Sequence, residues 1–123
     1  MNKWHPPIMK HGKFSIHPIT KQSFGWRTWQ PESITIGKNV DIGAGSELFG
    51  HHGIQIFDNV QIGGGTMIYS ANTINQQFAP VIIGKNACIG ANSVILPGSV
   101  IKENQMIKAL SVVYYNGEET VIK

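Results

Sequence analysis

The segment SELFGHHGIQIF, residues 46–57, carries two adjacent histidines between glycines. Imidazole suits general acid–base work near neutral pH, because its ordinary pKa lies close to it. His51 and His52 are therefore either candidates for a catalytic base or polar paving at the rim of a binding cleft. A zinc site draws on several converging ligands. Two adjacent side chains rarely reach one ion, and His5, His11 and His17 fall in a separate segment. No metal is expected here. Asp41, Glu47 and Asp58 are the nearest carboxylates that could orient an imidazole, and spacing alone places none of them. Cys88 is the single cysteine and has no Cys/His cluster around it, so it reads as a structural thiol rather than a disulfide or ligand.

The elements that must position these histidines announce themselves by rhythm. Ile36, Ile42 and Leu48 are six residues apart, as are Ile56, Ile62 and Ile68. The spacing returns in Ile83, Ile89 and Ile95, and again in Ile101, Ile107 and Val113. Six residues turn a helix by about 600°, so one helical face could not hold this pattern. Short strands closed by a turn at every sixth residue can. The aliphatic residue then points inward, as does a small or β-branched residue two before it, such as Val40, Thr66, Ala87, Ser93, Ser99 or Ser111. Glycines after several anchors (Gly37, Gly43, Gly63, Gly84 and Gly90) suit the turns. Three such segments close a triangular coil, and the anchors make four coils stacked like a parallel sheet.

The rhythm slips twice. From Leu48 to Ile56 the gap is eight, and from Ile68 to Ile83 it is fifteen. Both slips follow the third anchor of a coil, so both insertions leave the same corner of the prism. Counting thus predicts that His51 and His52 lie beside the loop YSANTINQQFAP, residues 69–80. Loops bulging from one edge of a solenoid are usual places for binding.

Residues 1–33 do not keep the rhythm and read as an irregular N-terminal arm, with one rough coil around FSIHPIT. Trp4, Trp26 and Trp29 read as capping core, since a solenoid end must be covered. Residues 34–113 are the repeat. Residues 114–123 read as a strand or hairpin tail, because Asn116-Gly117 sits between two strand-like runs. The whole is one domain of 123 residues. With 14% charged and 41% hydrophobic residues the chain is not of a disordered composition. The net charge of +3 is not gathered into a run, which argues against nucleic acid and suits a small anionic ligand. The stretch MNKWHPPIMKHGKF lacks an apolar core long enough for a secretion signal and no stretch approaches the length of a membrane span, so a soluble cytoplasmic protein is expected.

The stretches ITIGKNVDIGAGS and VIIGKNACIGANSVILPGSVI, with the rhythm itself, resemble the hexapeptide-repeat acyltransferases over about residues 34–113. IGANSVILPG is similar to what sugar and xenobiotic O- and N-acetyltransferases carry after their active-site loop. The resemblance implies an all-β fold, a left-handed parallel β-helix of about four triangular coils with the irregular arm attached. It also implies a homotrimer, with acetyl-CoA as acyl donor in the cleft between two subunits. The implied function is acetyl transfer to the hydroxyl or amine of a small acceptor, a sugar foremost.

Family members of the galactoside and maltose acetyltransferase type place a histidine base in the inserted loop. Here Asn72 or Thr73 falls at that position, and neither titrates near neutral pH. Serine acetyltransferases place their base in a His-x-x-Gly segment before an IVIGD-like strand, and GHHGIQIFDN is similar but one residue shorter. His51 matches if the gap follows it, His52 if the gap precedes it. For coenzyme A the resemblance implies Gly90, Ala91, Asn92 and Ser93 in the third coil, and Lys108, Ala109 and Ser111 in the fourth. Lys102 would join Lys108 at the nucleotide phosphates. Tyr114 and Tyr115 replace the family's VVTK pattern, and Tyr115 would stack on adenine or cover the core. The alternatives are a non-catalytic β-helix scaffold or ligand-binding protein, and a zinc enzyme resembling the γ-class carbonic anhydrases.

Overall fold

The computed structural model describes residues 25–123. The rough coil around FSIHPIT, with Trp4, His5, His11 and His17, lies outside the described residues. The rest is a parallel β-solenoid of four coils, with one short 3-10 turn at Pro31–Ser33 and no α-helix among the described residues.

Each anchor stands where the six-residue count puts it. The first face stacks Ile34–Ile36, Ile54–Ile56, Val81–Ile83 and Val100–Ile101, with Ile36, Ile56, Ile83 and Ile101 in register. The second stacks Asp41–Ile42, Gln61–Ile62, Cys88–Ile89 and Met106–Ile107, aligning Ile42, Ile62, Ile89 and Ile107. The third stacks Glu47–Phe49, Met67–Tyr69, Val94–Ile95 and Val112–Tyr115, aligning Leu48, Ile68, Ile95 and Val113. These columns fill the interior, and every anchor but the half-buried Ile36 is buried. Burying one such side chain contributes about 1.5–3 kcal/mol, and the stacked columns set the register.

The stack reaches further down than the sequence rhythm. Arg27–Trp29 pairs in parallel beneath Glu47–Phe49, with Thr28 buried under Leu48. The coil pattern therefore begins inside the segment expected to be irregular. Trp26 is buried at that end of the core, whereas Trp29 points outward and stacks toward Phe49. At the other end Val112–Tyr115 and Thr120–Ile122 form the antiparallel hairpin around Asn116-Gly117.

The corners explain the small residues. Between the first and second faces, Asn39, Asn59, Asn86 and Asn104 all adopt φ of 57–64°, the left-handed region that asparagine tolerates. Between the second and third faces the inward hydroxyls satisfy turn carbonyls. Thr66 Oγ1 and Ser93 Oγ donate to the carbonyls of Gly63 and Gly90 at 2.8 Å, and Ser111 Oγ donates to Lys108 O at 2.6 Å. In this corner the left-handed position is Gly45, Gly65 and Asn92 in the first three coils, but Leu110 in the fourth, with φ of 63°. Leu110 is also 76% exposed, so no packing repays the strain. Leu110→Asn is expected to stabilise the protein by about 1 kcal/mol and raise Tm by about 4–8 °C in thermal unfolding. An unchanged or lower Tm would show that the backbone there carries no strain.

Candidate functional site

Both insertions leave the corner between the third and first faces, one above the other. The shorter is a tight turn, Gly50-His51-His52-Gly53, closed by a 2.9 Å bond from Gly53 N–H to Gly50 O. The longer is an antiparallel hairpin of Ala71–Asn72 and Gln77–Phe78. Ser70, buried at the root of the hairpin, joins the two. Its hydroxyl donates to Phe49 O at 2.6 Å and accepts from His52 N–H at 2.8 Å. Val81 N–H donates to Gly53 O, fixing the other side of the turn. The juxtaposition predicted by counting is therefore held by bonds between residues far apart in sequence.

The two histidines part company. The ring of His52 packs on Phe78 of the hairpin, 5.0 Å between centroids. His51 instead lines a cleft of about 470 Å³ beneath the hairpin, together with Asn72, Thr73 and Ile74. Asn72 Oδ1 accepts from Ile74 N–H at 3.2 Å, which shapes the hairpin tip and leaves its Nδ2 to donate. None of the three carboxylates nearest in sequence lines this cleft. Glu47 accepts from Arg27 Nε at 2.9 Å and from Trp29 Nε1 at 3.2 Å, and Asp58 accepts from Lys38 N–H at 2.8 Å. Asp41 lies on the second face.

The cleft floor is a column that sequence reasoning missed. Phe49, Tyr69 and Leu96 line it, each the residue after a third-face anchor. The rings of Phe49 and Tyr69 stack at 4.6 Å and are nearly parallel. Trp29 continues the stack below at 6.1 Å, and Tyr114 occupies the same place above. The signal was available, since that position is large in every rung, but reading only the inward residues hid it. The ladder gives the cleft a rigid apolar wall in front of one imidazole.

The residues expected to hold coenzyme A lie at a different corner, between the second and third faces. Gly90, Ala91, Asn92 and Ser93 stand below Lys108, Ala109 and Ser111, through the register of Ile89 with Ile107. Ser93 and Ser111 are buried, with their hydroxyls turned to the corner carbonyls and Ser111 N–H toward Ser93 Oγ, so neither is offered outward in the way expected. Ala109 and Lys108 are exposed, Ala91 half-buried, and the N–H groups of Ala91 and Ala109 take no partner among the described residues. Stacked unpaired N–H groups beside an exposed lysine suit the amides and phosphates of a pantetheine nucleotide. Lys102 is exposed at the corner between the first and second faces, away from Lys108. Tyr115 packs on Gly98, where a Cβ would meet its own at 3.1 Å. Among the described residues no three of His, Cys, Asp and Glu gather as a metal site would require. No helix there is long and apolar enough to cross a membrane.

Comparison with known proteins places this architecture. A hexapeptide-repeat acetyltransferase of Vibrio cholerae O1 biovar eltor, complexed with acetyl coenzyme A, is 23% identical with a TM-score of 0.42. The match covers 79% of this chain and 62% of that one, so this chain spans less than two thirds of that protein. AntD, an N-acyltransferase from Bacillus cereus solved with dTDP-4-amino-4,6-dideoxyglucose and coenzyme A, is 20% identical with a TM-score of 0.50. That match covers 91% of this chain and 81% of AntD, and the likeness is one of fold. No curated protein matches the chain in sequence. The family model described as the hexapeptide repeat of succinyl-transferase matches residues 33–70 and 80–109, more than half of the chain. The gap between the two matched segments is the inserted hairpin. The chain belongs to that hexapeptide-repeat family.

Proposed function

We propose that the protein is an acetyl-CoA-dependent acyltransferase acting on the hydroxyl or amine of a small acceptor, with a sugar as the leading candidate. The observation that carries this reading is the cleft at the inserted corner, where His51 faces a rigid apolar wall. AntD, whose likeness is one of fold, was solved with coenzyme A and an amino sugar nucleotide, which supports the reading.

In this reading His51 takes the proton from the acceptor hydroxyl as its oxygen bonds to the thioester carbonyl. The carbon–sulfur bond then breaks, and the departing thiolate takes the proton back from the imidazolium. The Asn72 amide and the Thr73 hydroxyl serve as donors or positioning groups beside the acceptor. The backbone of Gly90, Ala91, Asn92 and Ala109 holds the donor, with Lys108 at its phosphates and the buried Ser93 and Ser111 bracing the corner behind them. Donor and base residues lie on different corners of one chain, separated by the third face. A second copy that sets its donor corner against the His51 corner of the first completes the site. Such unlike-patch contacts close into rings, and a homotrimer is the ring that suits a three-sided prism.

Calorimetric titration with coenzyme A and acetyl-CoA tests the reading. Saturable binding in the micromolar range is expected. Absence of heat at millimolar concentration would leave a non-catalytic scaffold or ligand-binding protein as the better account.

A further inference from the structure

A second groove, of about 600 Å³, opens on the other side of the hairpin from the His51 cleft. It runs between the hairpin tip and the C-terminal hairpin. Leu96 lines both spaces, so the two are neighbours around the tip. Their linings differ in kind. The His51 cleft is walled by stacked rings, whereas this groove is lined by Asn75, Gln76, Gln77, Tyr114, Tyr115 and Asn116.

Neither lining contains a lysine, arginine, aspartate or glutamate. Lys123 Nζ lies over the Tyr114 ring, 5.8 Å from its centroid, and does not line the groove. An anionic ligand would find no charged partner within the groove itself. A purely apolar ligand would strand its amides.

Several of those amides are already partly engaged. Asn75 accepts from Gln77 N–H at 3.2 Å and donates to Gln77 Oε1 at 3.4 Å. Gln76 Nε2 donates to Thr73 O at 3.0 Å, and Asn116 Oδ1 accepts from Glu118 and Glu119 N–H at 2.9 Å. These bonds fix the amides and leave a mixed set: Gln76 Oε1 to accept, Gln77 Nε2 and Asn116 Nδ2 to donate, and two phenols to do either. Tyr115, held against Gly98, keeps 39% of its surface exposed.

Alternating neutral donors and acceptors beside aromatic rings match vicinal hydroxyls and the C–H face of a pyranose. We infer that this groove is a second subsite, which holds a neutral saccharide unit of the acceptor beyond the unit that reacts at His51. The assignment of that unit to the acceptor rests on the acyltransferase reading; its binding in the groove does not.

Saturation-transfer NMR with maltose, cellobiose and lactose, without coenzyme A, tests binding, with glucose and glucose 6-phosphate alongside. Transfer to at least one disaccharide is expected, with weaker transfer to glucose. Gln77→Ala and Gln76→Ala should each weaken it by about fivefold to tenfold, and Tyr115→Ala by more. Tyr115 pairs with Thr120 in the C-terminal hairpin, so the exposed Gln76 keeps the test independent of folding, with the half-buried Gln77 beside it. No transfer to any neutral saccharide, tighter binding of the sugar phosphate, or indifference to all three substitutions would overturn the inference. Coenzyme A titration on the same samples separates the two claims. Saccharide binding without coenzyme A binding keeps the groove and removes the acyltransferase reading.

Discussion

His51→Ala is expected to lower acetyl transfer to a hydroxyl acceptor by about 10²–10⁴-fold, with a much smaller change in acceptor KM. His52→Ala should stay within a few-fold of the unaltered protein, because its ring is spent on Phe78 and does not line the cleft. Initial rates of thiol release at saturating acetyl-CoA measure both. An amine acceptor should show a weaker loss in His51→Ala, because a neutral amine attacks without help from a base. Ser70→Ala should fall between the two. It removes the hydroxyl that bonds Phe49 O and His52 N–H, so kcat should drop while coenzyme A binding stays, and Ser70→Thr should recover part of the rate. If His52→Ala proves the damaging change, the assignment of the base is reversed. If neither does, the cleft binds without imidazole chemistry.

The largest effect on stability is expected at a glycine rather than in the aliphatic core. A Cβ on Gly63 would lie 2.5 Å from the N and 2.7 Å from the Cα of Ala91 in the coil above. Gly43 meets the backbone of Gly64, and Gly90 that of Ala109, in the same way. Backbone on both sides leaves little room to relax, so Gly63→Ala should cost about 3 kcal/mol. That corresponds to a fall in Tm of about 10–20 °C for a domain of this size. Lys108 holds the same place in the last coil, with no coil above it among the described residues, and Lys108→Ala is the matched control with little change expected. A Gly63→Ala protein that unfolds with the control would mean the coils separate at that corner more easily than their spacing suggests.

The two predictions draw on different depths of the sequence. The glycine column follows from repetition, since each coil must repeat the corner beneath it about 4.8 Å away. The histidine assignment does not. GHHG places two identical side chains in consecutive turn positions, and consecutive turn residues point in different directions. Which one faces the cleft depends on the dihedrals of that turn, and those depend on Ser70, eighteen residues away. The hairpin that roofs the cleft is likewise held to the turn by contacts that no local pattern announces.

By itself the sequence determined the three faces, the four coils, the register of their anchors and the shared corner of the two insertions. These follow from strand alternation and arithmetic, because a buried column tolerates neither a slip nor a change of face. Only the tertiary structure decided that His51 lines the cleft and His52 does not, and that Phe49 and Tyr69 build its wall. Outward side chains bury little and obey no period. Their neighbours are set by the stacking of coils about twenty residues apart, which exists only once the chain has folded.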